Sequence, residues 1–367
     1  MVRIILSIFG LGMMAVYFLT SHIGNAARSV YEKFNRPVHD FLAGLTDRTD
    51  ACVIEIIIAC LVTSVFVYII LSVIFFIKDL KKDFKEKEHN ALKHILSFLL
   101  TFVMLFCLIY GGFCILWGPY YSAPDVSEAC GIEADPEGVL HSDLIKVDEG
   151  FVNLANEYST KVSRDSEGCF VRSVDPFDHA AVLYDAVSAR YPGLKAVPHR
   201  PKQFHFSRVL SYMDFTGFFS PFTGEACINT DSPSSMTPVT IAHELAHQRG
   251  IAAEDEANFV AVLTCLEDGD PDFVYSASLF AMSHLQNAMY KSGDTAEWER
   301  IKGTYSEGVE ADLAKNREYW NSFRDSAVHQ AVSDTYDAFL KSYDQELGRE
   351  TYGACVDLLV EYYRQIW

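Results

Sequence analysis

The sequence has no excess of positive charge: 30 Lys and Arg stand against 49 Asp and Glu, a formal net charge of −19. A phosphate backbone needs a basic footprint, so a nucleic-acid partner is excluded. No CxxC spacing occurs among the nine cysteines, which argues against a cysteine-based zinc knuckle. Internal repeats and low-complexity segments are also absent, and a chain that is 50% apolar is not intrinsically disordered. What is present is unevenly distributed. Residues 1–118 carry 11 basic and 9 acidic side chains and residues 119–367 carry 19 and 40, so the two parts are +2 and −21. The length of 367 residues allows about two units, and the charge partition suggests a membrane domain, 1–118, followed by a water-soluble domain, 119–367.

Three stretches of the first part, about 4–19, 53–77 and 95–117, match the span of about 20 apolar residues that crosses a bilayer as a helix. The first is short enough to be the apolar core of a signal peptide instead. Six lysines, Lys78, Lys81, Lys82, Lys85, Lys87 and Lys93, fill the link 78–93, which the positive-inside rule places in the cytoplasm. The third helix then runs outward. The expected topology is a multi-pass protein of the cytoplasmic (plasma) membrane, with the loop 21–50 and the C-terminal domain extracytoplasmic. Trp117, Tyr120 and Tyr121 fit an aromatic interface belt where Gly118 and Pro119 end the helix. Cys52, Cys60, Cys107 and Cys114 read as small hydrophobes of the spans. Cys130, Cys169, Cys227, Cys265 and Cys355 remain, an odd number in a compartment that permits disulfides.

In the second part, apolar residues recur at helical spacing over 143–161 and 177–191. Residues 193–235 lose that period and gain Gly, Pro, Ser, Thr and aromatics, indicating a small strand region whose best strand is 224–229 (GEACIN). Beyond Pro238 the pattern is helical, over 271–291, 295–314, within 316–346 and over 352–365. Tyr319, Trp320, Tyr336, Tyr343, Tyr352, Tyr362 and Tyr363 are either helix-packing residues or the lining of a groove.

The stretch that carries chemistry is TPVTIAHELAHQRG, 237–250. Thr237 suits an N-cap, Pro238 a first helical position and Gly250 a left-handed stop, which predicts a helix over about 238–249. His243 and His247 then project from one face a turn apart and can share one Zn²⁺, with Glu244 beside them to take a proton from water. A catalytic zinc wants a third protein ligand. After Gly250 a second helix can start near Ala253, and a chain reversal would return Glu254 to the metal. Asn258, four residues on, shares that face and can orient a ligand histidine. Glu256 points about 200° away and is the fallback ligand.

HELAH followed by Glu254-Asp-Glu-Ala257-Asn258 resembles the gluzincin branch of zinc metallopeptidases. That resemblance implies two His and one Glu on zinc, the HExxH glutamate as general base, and a mainly α (α+β) domain with a small strand region before the motif helix. Metzincins are set aside because their third histidine would fall at Ala253. In gluzincins an edge strand before the motif helix pairs with an extended substrate, a part that 224–229 would play here. More of the chain, including TGFFSPFTGEA at 216–226, HELAHQRG and EDEANF at 254–259, resembles an uncharacterised family of membrane-anchored proteins known as domain of unknown function 3810.

The expected function is hydrolysis of peptide bonds in a peptide or protein substrate by a membrane-anchored enzyme with one Zn²⁺ on His243, His247 and Glu254, and Glu244 as base. Tyr275, His284 and Tyr212 are candidate second donors to the tetrahedral oxyanion. Arg249 is expected to pair with a domain carboxylate. The competing expectations are a non-enzymatic receptor or sensor with a structural or vestigial metal site, and an amidase acting on cell-wall peptides.

Overall fold

A computed structural model of the chain describes residues 1–23, 25–86, 90–123, 126, 130–131, 139–324 and 352–367. It forms two compact units. One comprises Met1–Leu42, Val53–Ser122 and Pro221–Thr223, the other Ala43–Cys52, Ala123–Ser220 and Gly224–Trp367.

The first unit contains α1 (Val2–Ser21), α2 (Ala26–Val30), a π turn (Tyr31–Asn35), the start of α3 (Arg36–Thr46), α4 (Val53–Glu86) and α5 (Asn90–Leu116). Three of these, α1, α4 and α5, are long and apolar enough to cross a membrane. Phe9, Val62, Phe66, Leu99 and Phe106 are exposed on them, as expected of side chains whose solvent is lipid. Two glycines bring α1 against α5. A Cβ on Gly10 would run into the Cys107 carbonyl, and one on Gly111 into the carbonyl of Gly10. Small residues at such a crossing let two backbones approach closely, which is how helices associate where water gives no driving force. The final turn of α5 is satisfied by Asn35, whose amide donates to the carbonyls of Ile115 and Leu116, 2.7 Å each.

Three expectations for this region are corrected. Residues 21–50 are largely helical rather than an open loop. Most of the lysine-rich link is helix, since α4 runs to Glu86 and α5 begins at Asn90; Lys and Glu are good helix formers and propagate the span beyond its apolar part. Trp117 and Tyr120 are buried inside the unit rather than forming a belt, stacked on each other with Tyr120 hydrogen-bonded to His39.

The second unit begins with the end of α3. Among the described residues its helices include α6 (His141–Ser159), α7 (Pro176–His179), α8 (Asp185–Arg190), α9 (Ser207–Tyr212), α10 (Thr237–Gln248), α11 (Glu254–Asp268), α12 (Pro271–Lys291), α13 (Thr295–Lys302), α14 (Glu307–Arg324) and α15 (Tyr352–Tyr363). The run expected over 177–191 is broken at 180–184, where Tyr184 turns inward to donate to the Ala242 carbonyl at 2.7 Å. That over 295–314 is interrupted between Gly303 and Ser306. Tyr336 and Tyr343 lie outside the described residues, as does most of 316–346. Two-residue strands β1 (Ser163–Arg164) and β2 (Phe170–Val171) form a short hairpin, its turn held by the Asp165 carboxylate accepting from the amides of Glu167 and Cys169.

The strand region proves to be a three-stranded sheet in the order β3 (Lys202–Phe204), β5 (Glu225–Asn229), β4 (Gly217–Ser220), with β5 parallel to β3 and antiparallel to β4. All five residues of β5 are buried. On this sheet packs α10, followed by α11 and α12. Ile241, Ala242, Leu245 and Ala246 of α10 meet Phe259–Leu263 of α11 and Phe273, Ala277, Ala281 and Leu285 of α12 in one core. Each large side chain so enclosed contributes about 1.5–3 kcal/mol.

Candidate metal centre

The helix that bears the HExxH residues starts one position earlier than its punctuation suggests. Met236 occupies the N-cap without a side-chain bond, Thr237 is the first helical residue, and Pro238 falls in the first turn where no amide is missed. At the other end Gly250 adopts φ +102°, a conformation that costs other residues a clash of Cβ with the backbone. The chain reverses there, and α11 opens at Glu254 with Ala253 as N-cap.

This reversal brings His243, His247 and Glu254 together. The imidazole planes stand at 90° with centroids 4.6 Å apart, and their Nε2 atoms are separated by 3.0 Å. Glu254 places Oε2 3.3 Å from His243 Nε2 and Oε1 3.7 Å from His247 Nε2. These three side chains form a group that could hold a metal ion. Tetrahedral zinc with bonds of about 2.0–2.1 Å separates its ligand atoms by about 3.4 Å, a value the observed spacings bracket. His247 Nδ1 lies 2.6 Å from the Ile251 carbonyl, to which it donates, so the lone pair sits on Nε2 and faces the cluster. Asn258 is buried on the next turn of α11 and helps to raise the His243 pKa, while its own Nδ2 has no hydrogen-bond partner.

Glu244 is buried, and its Oε2 has no hydrogen-bond partner. A buried carboxylate oxygen without a partner is costly, and it fits a group whose task is to receive a proton. Burial is the chief reason its pKa is pushed up to about 8; Glu254 adds to the rise and His243 opposes it. Burial works against the His243 imidazolium, yet the hydrogen bond to Glu254 and the nearby carboxylates outweigh it and leave that pKa raised. His247 is lowered to about 4, by burial first and by His243 as a like charge.

One wall of the site was not anticipated. Gly217 of β4 lies against Glu244: a Cβ there would sit 2.7 Å from its Oε1 and 2.9 Å from its Cγ. The only sequence signal was a glycine within the aromatic run at 216–226. The structure also corrects the part assigned to 224–229. In the sheet β5 is the central strand with both edges taken by β3 and β4, so it has no edge to offer an extended peptide; the strand that reaches Glu244 is β4.

The remaining candidates separate. His284 on α12 stands near enough to His243 for the two to repel as cations, and burial with that repulsion lowers its pKa to about 4. Tyr275, by contrast, is fully buried and commits its hydroxyl to Asp312 Oδ2 at 2.6 Å while accepting from Arg164 at 3.1 Å. Tyr212 packs edge-on against Phe323. Glu256 turns away and accepts from the Val126 amide. Arg249 does not take a carboxylate as its nearest partner; its guanidinium lies 3.6 Å over the Tyr184 ring and donates to the Leu245 carbonyl. Of the late aromatics, Trp320 lines a cavity of about 550 Å³ with Trp298 and Tyr305, whereas Tyr363 is core.

A family model described as protein of unknown function (DUF3810) matches residues 31–360. The chain belongs to that family. No curated protein and no solved structure matches this DUF3810 member. The matched span takes in α3 through α14 and most of α15, and so includes both the apolar helices α4 and α5 and the whole His243, His247, Glu254 group.

Proposed function

We propose that this DUF3810 member is a membrane-anchored, zinc-dependent peptidase of gluzincin type. The observation that carries the reading is the Glu254 carboxylate within 3.3 and 3.7 Å of two imidazoles, with the partnerless Oε2 of Glu244 one residue from the first of them. His243, His247 and Glu254 would hold the ion. When bound, zinc supplies Lewis acidity that polarises the scissile carbonyl and makes water more acidic. Glu244 Oε2 accepts the proton of the attacking water and returns it to the nitrogen of the departing amine. Burial of Glu244 raises its affinity for the proton it takes, which favours this transfer. His284, on α12 near His243 and neutral because its pKa is low, is the candidate to stabilise the oxygen that gains charge. The lysines of 78–93 support a cytoplasmic position for that link and an extracytoplasmic one for the peptidase unit.

A non-enzymatic structural metal site fits less well. Such sites are closed by four protein ligands, and in that role Glu244 would be a buried carboxylate with nothing to offset its cost. The test is metal analysis of the purified full chain together with cleavage of a peptide library by wild type and Glu244→Gln. Retained zinc with cleavage reduced about 10²–10⁴-fold supports the reading; equal cleavage by both proteins removes Glu244 as base.

A further inference from the structure

A second cluster lies apart from the three ligands already described. Cys52 Sγ and Cys227 Sγ are 3.0 Å apart, both residues are buried, and the Glu225 carboxylate joins them in a compact group. Apolar neighbours in the sequence suggested that Cys52 was a hydrophobe of the second span. It belongs instead to the water-soluble unit, as the last residue of Ala43–Cys52.

The approach of the two sulfurs is fixed from several directions. Cys227 sits in the middle of β5, paired in register with Lys202 of β3 on one side and Phe218 of β4 on the other. Lys202, on the same rung, donates through Nζ to the carbonyls of Thr46 and Thr49 in the segment that delivers Cys52. Next to it, His199 Nδ1 meets Asp47 Oδ2 at 2.7 Å, and Arg200 meets Asp50 Oδ1 at 2.8 Å. One short stretch, 199–202, thus ties residues 46–50 down beside the rung that carries Cys227.

Two chemistries could use such a pair. Zinc between two thiolates, with bonds of about 2.3 Å, holds the sulfurs about 3.8 Å apart, well beyond the observed 3.0 Å. Two thiolates and a carboxylate would also enclose three negative charges around one dication in a buried place. Bonding of the sulfurs to each other leaves neither of them charged. We propose that Cys52 and Cys227 form a disulfide that clips the segment before α4 to the central strand of the sheet. Each thiol loses a proton, the S–S bond forms, and the two electrons pass to an oxidant: the disulfide of a thiol oxidoreductase, which becomes a dithiol, or the N=N bond of diamide, which becomes HN–NH.

The bond is read by alkylating the full chain with N-ethylmaleimide in denaturant as it is taken from membranes, then mapping a non-reducing digest by mass spectrometry. A linked peptide holding Cys52 and Cys227, with seven of the nine cysteines alkylated, is the expected result; it must vanish in Cys52→Ala, with Cys227 then alkylated. A pair that is alkylated on isolation but linked after diamide treatment of the folded protein supports the site and contradicts the extracytoplasmic placement, which keeps the two readings distinguishable. Alkylation of both residues even after diamide overturns the proposal. So does a second metal equivalent whose removal by chelator is what exposes the two thiols.

Discussion

Replacing Asp148 with Asn should make the protein more stable at neutral pH, although it removes a carboxylate from an acidic domain. Asp148 on α6 is fully buried, and its Oδ2 accepts from the Gln286 amide of α12. Burial dominates its ionisation: it raises the pKa from 3.8 to about 8, with the Gln286 hydrogen bond opposing and Glu149 assisting. Both Asp148 Oδ1 and Gln286 Oε1 lack partners. A proton on Oδ1 would let the acid donate to that amide oxygen and close a two-bond pair, which accounts for both orphans at once. Because the folded pKa exceeds the unfolded one, the folded chain holds the extra proton between about pH 4 and 8. The stability this group contributes is therefore complete below pH 4 and is lost as pH rises through 8. Keeping the carboxyl protonated at pH 7, about three pH units above 3.8, costs on the order of 4 kcal/mol. Asparagine is neutral at every pH and supplies the same donor and acceptor. Asp148→Asn should raise the thermal midpoint of the full chain in detergent at pH 7.5 by up to about 8–16 °C, at about 2–4 °C per kcal/mol, and the gain should shrink towards zero near pH 4. A variant less stable than wild type at pH 7.5, or a difference that does not change with pH, would refute the reasoning.

The candidate centre yields three further predictions. Asn258→Ala removes the buried amide one turn beyond Glu254 and should weaken zinc about 10–100-fold in competition with a chelating dye; unchanged affinity would end its orienting role. Gly217→Val drives a side chain into Glu244 and should lower cleavage about 100-fold through misplacement of the base while zinc content stays at one ion; an active variant would show that β4 does not confine Glu244. Tyr275→Phe strips Asp312 of a 2.6 Å donor in a buried place and should cost about 1–3 kcal/mol in thermal unfolding with catalytic rate unaltered. A large drop in kcat without loss of stability would restore Tyr275 to the reaction.

Local features were legible in the sequence and those made by distant partners were not. α12 spans the stretch that periodicity indicates, 271–291, because Asp270 caps it and Pro271 opens it. The reversal at Gly250 and the start near Ala253 were readable for the same reason, and the juxtaposition of Glu254 with the histidines is their result: it is the seventh residue after His247. What hid was non-local. The central place of β5 depends on β3 and β4 arriving on either side, and no pattern within 224–229 encodes that. Cys52 looked like part of an apolar span because one begins at the very next residue, Val53, while its position is decided by His199, Arg200 and Lys202, some 150 residues later. The fate of the Tyr275 hydroxyl needed Arg164 and Asp312, which no helical period links to it.

The pairing of Gly217 with Ile228 makes the short connection between β4 and β5 a ruler. Inserting a single residue in 221–224 would slide one strand past the other, turn every side chain of β4 to the opposite face, and present the Phe218 ring where Glu244 now has empty backbone beside it, whereas a deletion would present Thr216. Length variation among relatives should therefore be tolerated almost anywhere on this sheet's periphery except in those four positions.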